Sequence, residues 1–368
     1  MDNLQYQIAL TLAPQIGAIT ARTLVRHCGS AEAVFRAGKR ELQRIPNIGP
    51  ATITALQSPA APLAKAEKEM RFMEKHGVNA VFFTHPRYPV RLRQCADAPA
   101  LFYFKGADLT LLNSERILAI VGTRQPSDHG KAICEEIVEG LLAFNVLIVS
   151  GLAFGVDVTA HRKSNALQMP NVGVLGHGLG SIYPHQHLNV AQKMTELGGL
   201  VSEYPHDAKP DREHFPMRNR IISGLSDAVL VIETGESGGS MITVDCAERH
   251  GREVFAVPGR PGDPSSKGCN RLIKNERAKL AGAATDIAAK MGWDEPQRPG
   301  SIQTQLFPEL LPRESSLIAI IRQNPEIAVD ELTLAAEISP GELASIILEL
   351  EFKGIVRTLP GKRYIVTG

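Results

Sequence analysis

Between Arg116 and Trp293, six short apolar runs alternate with segments of helical length, and most of the runs stop at a glycine cluster. The runs occupy 117–121, 146–150, 172–175, 200–203, 228–232 and 254–257, and the helical segments 129–144, 156–167, 188–197, 218–225 and 240–250. The runs are rich in Val, Ile and Leu with no polar residue at every second place. Such strands are buried on both faces, which predicts a mostly parallel sheet covered on both sides by its crossover helices. The expected fold class is α/β, with a Rossmann-like domain over 115–293.

The flanking segments follow other rules. Residues 1–58 read as short helices with two similar turns, Pro14-Gln15-Ile16-Gly17 and Pro46-Asn47-Ile48-Gly49, each leading into a helix. This resembles a tandem helix-hairpin-helix (SAM-like) module, whose helix-entering turns can hold a phosphate. A small bundle used for packing or self-association is the plainer alternative. Residues 59–114 form a connector expected to dock on the core, with a helix from 63 to 76 and strand-like stretches at 80–83 and 101–106. A Pro-rich linker spans 294–313. The remainder, 314–368, reads helix, helix, helix and two strands, the order of a winged helix. From Arg313 onward there are six basic and eight acidic residues, and the third helix carries Glu342, Glu349 and Glu351. Carboxylates there would face DNA phosphates at close range, so a protein contact suits this module better.

The chain of 368 residues has 40 Lys plus Arg against 39 Asp plus Glu, which argues against indiscriminate duplex coating. By module the balance is uneven: 1–58 holds six basic and three acidic residues. No apolar run approaches the ~18 residues that would suggest a membrane span, and no signal-like leader opens the chain. Five dispersed cysteines without a Cys-x-x-Cys pair argue against a disulfide framework or zinc site and fit a reducing cytoplasm.

In a parallel α/β sheet the working residues lie beyond the carboxyl ends of the strands. There the chain places Gly122-Thr123-Arg124, Ser150-Gly151 with Gly155 and Asp157, Gly176 to Gly180, Glu203-Tyr204-Pro205, and Gly235 to Ser240 including Gly238 and Gly239. Glycines let backbone N–H groups approach an anion, and helix N-termini favour negative charge, so converging loops of this kind predict a phosphate-binding floor. The first strand lacks a following G-x-G-x-x-G, and no G-x-x-x-x-G-K-[ST] loop exists, which sets aside an ordinary dehydrogenase or ATPase. Gly235-Glu236-Ser237-Gly238-Gly239 imitates a hydrolase elbow, but the only later histidine, His250, falls at the far end of the same helix, roughly 20 Å away by helical rise. Ser237 is then better read as a phosphate ligand than as a nucleophile. His185 and His187 sit in a turn without a completing ligand, and His161 reads as a satisfied helix residue. Neither a metal nor a cofactor is expected.

The segment from His214 to Arg220 is the most informative. Arg218 and Arg220 lie about 200° apart on a helix, so one is expected to take a phosphate while the other braces a loop. Asn219 lies between them. Lys209 and Arg212 extend the positive track, and Phe215 offers a face on which an unpaired base could stack. The alternative is that Phe215 plugs the core and the arginines pair with Glu203 or Glu233.

Together these residues closely resemble the DprA (Smf) family of DNA-processing proteins. The resemblance rests on 120–124, 150–157, 174–179, Tyr183-Pro184, 202–205, the run Phe215-Pro216-Met217-Arg218-Asn219-Arg220, 237–243 and Val257-Pro258-Gly259. It implies a bacterial protein that binds single-stranded DNA, protects incoming strands and helps load the RecA recombinase during natural transformation. It also implies that Arg124 and the Arg212/Phe215 edge form a nucleotide pocket, and that the Rossmann-like domain self-associates as a homodimer. Thr123 stands where the family often has Ser, and Gly180 where an acidic residue is common, which leaves the role of that loop open. In the linker, Gln303, Leu306 and Phe307 have the Gln-x-x-Leu-Phe shape of sliding-clamp peptides, although a chance pentapeptide is the plainer reading. Two competing functions are a nucleotide-cleaving enzyme of the phosphoribohydrolase type and a winged-helix transcription regulator. The loop 234–240 lacks the Pro-Gly-Gly-x-Gly-Thr signature of the former.

Overall fold

The computed structural model describes residues 3–293, 312–324, 327–336, 338–352, 356–359 and 363–366. Contacts divide the chain into two units, Met1–Pro296 and Gln297–Gly368.

The first unit is built on nine strands: β1 (Asn79–Phe82), β2 (Leu101–Gly106), β3 (Ile117–Val121), β4 (Leu147–Ser150), β5 (Asn171–Leu175), β6 (Gly199–Ser202), β7 (Ala228–Val231), β8 (Glu253–Ala256) and β9 (Lys279–Leu280). Their order is β1-β2-β6-β5-β4-β3-β7-β8-β9. From β6 to β9 all neighbours are parallel. The two segments read as a docked extension instead join the sheet: β2 pairs antiparallel with β6, and β1 with β2.

Six helices precede the sheet: α1 (Asn3–Leu12), α2 (Ala18–Cys28), α3 (Ala31–Arg36), α4 (Lys39–Leu42), α5 (Pro50–Leu56) and α6 (Ala60–His76). The remaining helices of this unit are α7 (Val90–Arg93), α8 (Asp128–Leu141), α9 (Val156–Ala166), α10 (Leu188–Leu197), α11 (His214–Leu225), α12 (Gly239–Arg249), α13 (Lys267–Lys274) and α14 (Ala284–Met291).

Strand alternation sorts side chains between two faces. Ile117, Ala119 and Val121 pack with Ile221, Ile222 and Leu225 of α11 and Val244 of α12. Leu118 and Ile120 pack with Ile137 and Val138 of α8, Val156 of α9 and Ile287 of α14. The central strands are buried throughout, which explains their unbroken apolar runs. Leu101 and Tyr103 of β2 share a core with Ile8, Leu10, Leu24 and Ile53 of the N-terminal helices, whereas Phe102 and Phe104 face the other side. The helical module therefore closes over the extended edge of the sheet. Its two turns match in backbone as well as in sequence: Gln15 and Asn47 adopt φ of 64° and 62°, and Gly17 and Gly49 begin α2 and α5.

The second unit has α15 (Pro312–Gln323), α16 (Val329–Ala336) and α17 (Pro340–Phe352), followed by strands β11 (Val356–Leu359) and β12 (Arg363–Val366). A two-residue strand, β10 (Ile327–Ala328), completes an antiparallel sheet of order β10-β12-β11. It is too short to leave a periodic signal in the sequence. On α17, Leu343, Ile347 and Leu350 enter the core, while Glu349 is exposed and Glu342 pairs with Arg313.

Candidate nucleic-acid interface

Strand order reverses at β3: β4 lies on one side and β7 on the other. The loops that leave β3 and β7 consequently diverge, opening a crevice at their carboxyl ends. A cavity of about 710 Å³ occupies this place. Ten of the fifteen residues expected from sequence line it: Gly122, Thr123, Arg124, Arg212, Phe215, Arg218, Asn219, Gly238, Gly239 and Ser240.

The loop after β3 is clamped from both sides. The Thr123 amide donates to the Glu233 carbonyl at 2.7 Å, and the Thr123 carbonyl accepts from the Val156 amide at 3.2 Å. Gly155, at φ 81°, passes so close that a Cβ there would collide with the Thr123 carbonyl. The Glu233 carboxylate accepts from the Ser127 amide at 2.8 Å and from its hydroxyl at 2.5 Å, fixing the far end of the loop. Arg124 projects from this frame, exposed, with its guanidinium 5.8 Å from the centroid of the Phe215 ring. Neither Arg124 nor Arg212 has an ion-pair partner among the described residues.

The α11 arginines behave differently from expectation. Arg220 pairs with Glu203 and does not line the cavity. Arg218 lines it, yet its guanidinium is buried, donating to the Gly151 carbonyl at 2.8 Å and to Asn219 Oδ1 at 3.0 Å, with Asp157 at 3.9 Å. Burial works against charge on both members of that pair, raising the Asp157 pKa and lowering that of Arg218. Both arginines brace, and the cations left facing solvent at the cavity are Arg124 and Arg212. Of the two carboxylates that the sequence offers these arginines, Glu203 takes Arg220, and Glu233 instead serves Ser127.

Ser150, Gly151 and Gly155 stand behind the lining. The Ser150 hydroxyl donates to the Ile120 carbonyl at 2.5 Å, and the Gly151 amide to Asp157 Oδ2 at 3.1 Å. Lys209 is exposed on the arm before α11 but outside the cavity wall. The glycines from 176 to 180 also act from behind: a Cβ at Gly176 would lie 3.1 Å from the Phe215 ring, and the Gly180 amide donates to the His206 carbonyl at 2.9 Å.

On the β7 side, α12 begins after Gly238 with no side-chain cap. Its first amides thus remain available to an anion. Gly239 has open space where a Cβ would stand. Ser240 is buried, its hydroxyl donating to Thr234 Oγ1 at 2.7 Å, and Asn219 Nδ2 reaches the Gly239 carbonyl at 3.4 Å. Ser237, read as a phosphate ligand, is exposed but does not line the cavity. His250 lies at the far end of α12 and bridges Ser223 Oγ (2.9 Å) and Asp97 Oδ1 (2.7 Å), away from the lining residues. His161 is buried with Nδ1 2.8 Å from Asn171 Oδ1. His187 Nδ1 bonds the Leu152 carbonyl at 2.8 Å.

Sequence reasoning did not select Tyr183, Asp157, Thr234 or Thr243, which also line the cavity. Asp157 lies within a strand-end motif and Tyr183 in the Tyr183-Pro184 pair of the family resemblance, and those positions were the available signal. Among the described residues, no helix is long and apolar enough to cross a membrane.

Comparison with known proteins agrees with this architecture. A sequence model of the family described as DNA recombination-mediator protein A matches residues 79–292, and one for the DprA winged helix domain matches 304–362. The DNA processing protein DprA of Bacillus subtilis is 40% identical over 223 residues, which is 61% of this chain and 74% of that protein. The X-ray structure of DprA from Streptococcus pneumoniae superposes with a TM-score of 0.65 at 29% identity, covering 79% of this chain and 99% of that one. A structure of DNA processing protein A from Helicobacter pylori, described with a single-stranded DNA binding mode, gives 0.53 at 27% identity over 58% of this chain and 95% of that one. With a match that spans the whole parallel sheet and a second over the C-terminal unit, the chain belongs to the DprA (Smf) family of DNA recombination-mediator proteins.

Proposed function

We propose that the chain is a single-stranded DNA-binding mediator that protects incoming strands and loads the RecA recombinase during natural transformation, without chemical turnover. One observation carries the reading. Two cations lacking partners among the described residues, Arg124 and Arg212, share a cavity with the half-buried ring of Phe215 and the open N-terminus of α12. The cations and amides suit a phosphate, and the ring suits a base whose face is free, which a stacked duplex does not offer. The single-stranded binding described for the Helicobacter pylori protein supports the same ligand.

Binding rather than catalysis is supported by the occupation of the nearby carboxylates. Asp157 accepts from the amides of Gly151 and Ala153, and Glu233 accepts from Ser127, so neither is free to act as a general base. Family membership supports self-association as a homodimer and the RecA contact. For the acidic winged-helix unit, 314–368, the reading assigns a protein contact. The clamp-like residues Gln303, Leu306 and Phe307 lie outside the described residues.

Labelled oligonucleotides test the ligand. Single strands should bind the full chain more tightly than duplex of equal length, with log affinity falling against log salt by about 0.7 per neutralised phosphate. RecA filament assembly on a strand precoated with single-strand-binding protein should accelerate when the chain is added. Equal affinity for duplex and single strand overturns the assignment of the cavity, and unchanged filament assembly overturns the mediator role.

A further inference from the structure

Among the described residues only two Phe, Tyr or Trp side chains are exposed, Phe154 at 44% and Tyr183 at 50%. They occupy loops after the adjacent parallel strands β4 and β5, on the edge of the sheet that carries the cavity. Tyr183 itself lines the cavity. Its ring centroid lies 6.0 Å from that of Phe215, with the planes at 43°. A base held between two rings needs nearly parallel planes about 7 Å apart, twice the ~3.4 Å stacking distance. The pair meets neither condition, so a single base is not sandwiched between the two rings.

Tyr183 is also held in place from within. Its amide donates to His177 Nε2 at 3.3 Å, so that nitrogen carries no proton; His177 Nδ1 carries it instead and donates to the Gly178 carbonyl at 2.9 Å. His177 is buried, and burial holds its pKa below the ordinary histidine value, which favours this neutral form. The His177 carbonyl accepts from the buried Ser202 hydroxyl at 2.6 Å, tying the loop to the end of β6. The tyrosine hydroxyl makes no hydrogen bond among the described residues. A large ring is thus presented to solvent on a built support.

We propose that Tyr183 is a second base-stacking platform, which takes the nucleobase adjacent to the one on Phe215, with the strand bent between them. The inference rests on the single-strand reading above. An apolar protein partner fits this rim less well, because it would bury the guanidinium groups of Arg124 and Arg212 unpaired, whereas a nucleic-acid backbone neutralises them.

The experiment measures affinity of the full-length protein for an oligothymidylate and for an abasic strand of the same length. Tyr183→Ala should weaken binding of the base-bearing strand roughly five- to a hundredfold, and leave the abasic strand unaffected. Tyr183→Trp should restore the loss. Thermal melting of Tyr183→Ala at the parent temperature shows that the fold survives. A Tyr183→Ala protein that binds the base-bearing strand as tightly as the parent, while Arg124→Ala weakens it, overturns the platform and leaves the single-strand reading standing. An equal loss on the abasic strand also overturns the platform, by assigning the effect to the backbone. A parent protein that binds neither strand overturns both readings.

Discussion

Arg218 and Arg220 stand two positions apart on α11 and direct their charge into the protein. Helical geometry separates their directions by about 200°; of the carboxylates that the sequence offered as internal partners, Glu203 and Glu233, only Glu203 is among the partners they take up. Those partners, the Gly151 carbonyl with Asp157 and the Glu203 carboxylate, come from other strand ends, and only the tertiary fold brings them near. Arg218→Ala should therefore act through stability, costing about 3–5 kcal/mol in a denaturant melt because it leaves Asp157 buried without its cation. Two histidines set opposite pH limits on the fold. Burial of His250 opposes its charge, but its hydrogen bond to the Asp97 carboxylate outweighs this and raises its pKa to about 9. Its contribution is complete below the ordinary value near 6.5 and is lost as pH rises through about 9. Burial lowers His161 to about 4, so its contribution is present above about 6.5 and is lost as pH falls through about 4. Urea midpoints should thus decline on both sides of neutrality, and Asp97→Asn should flatten the alkaline decline. An unchanged alkaline limb in that variant would contradict the pairing.

At the scale of elements, the strands over 117–257 were legible because both-face burial removes the alternation of polar residues along the run. The helices between them kept their expected bounds to within a few residues, except α11, which begins at His214 rather than near 218. Pro216 suggested that the extended arm continues to that point; within the first turn of a helix, however, proline is tolerated because its missing N–H has no partner there. The antiparallel strands β1 and β2 were harder to place, since the pairing of β2 with β6, through which β1 also joins the sheet, is a long-range relation that local pattern does not encode. Loop glycines were legible as a class, but not their direction of action: Gly151, Gly155 and Gly176 support the lining from behind. Gly155 is the sharpest case. Gly155→Ala meets both a strained φ and the Thr123 carbonyl, so it should cost about 1–3 kcal/mol of stability and displace the Arg124 loop. Weakened strand binding at a temperature where the variant remains folded would record that displacement.

For the whole molecule, a net charge of +1 conceals an uneven distribution of charge among the modules. The acidic winged-helix unit has its own core of Leu317, Ile321, Leu332, Leu343 and Leu350. A chain ending at 296 should consequently fold and retain its preference for single strands, whereas duplex binding lost on that truncation would favour a regulator. The N-terminal helices, by contrast, share a core with β2, and their removal should expose Leu101 and Tyr103 and cause aggregation. The cavity at the β3–β7 reversal is where the strand is expected to bind. Its most direct test is the single-strand affinity of Arg124→Ala and Phe215→Ala at ~0.15 M salt, a strength at which phosphate contacts still contribute. Each variant should stay folded and bind more weakly, Phe215→Ala by about 1–3 kcal/mol. Parent-like affinity in both would contradict it.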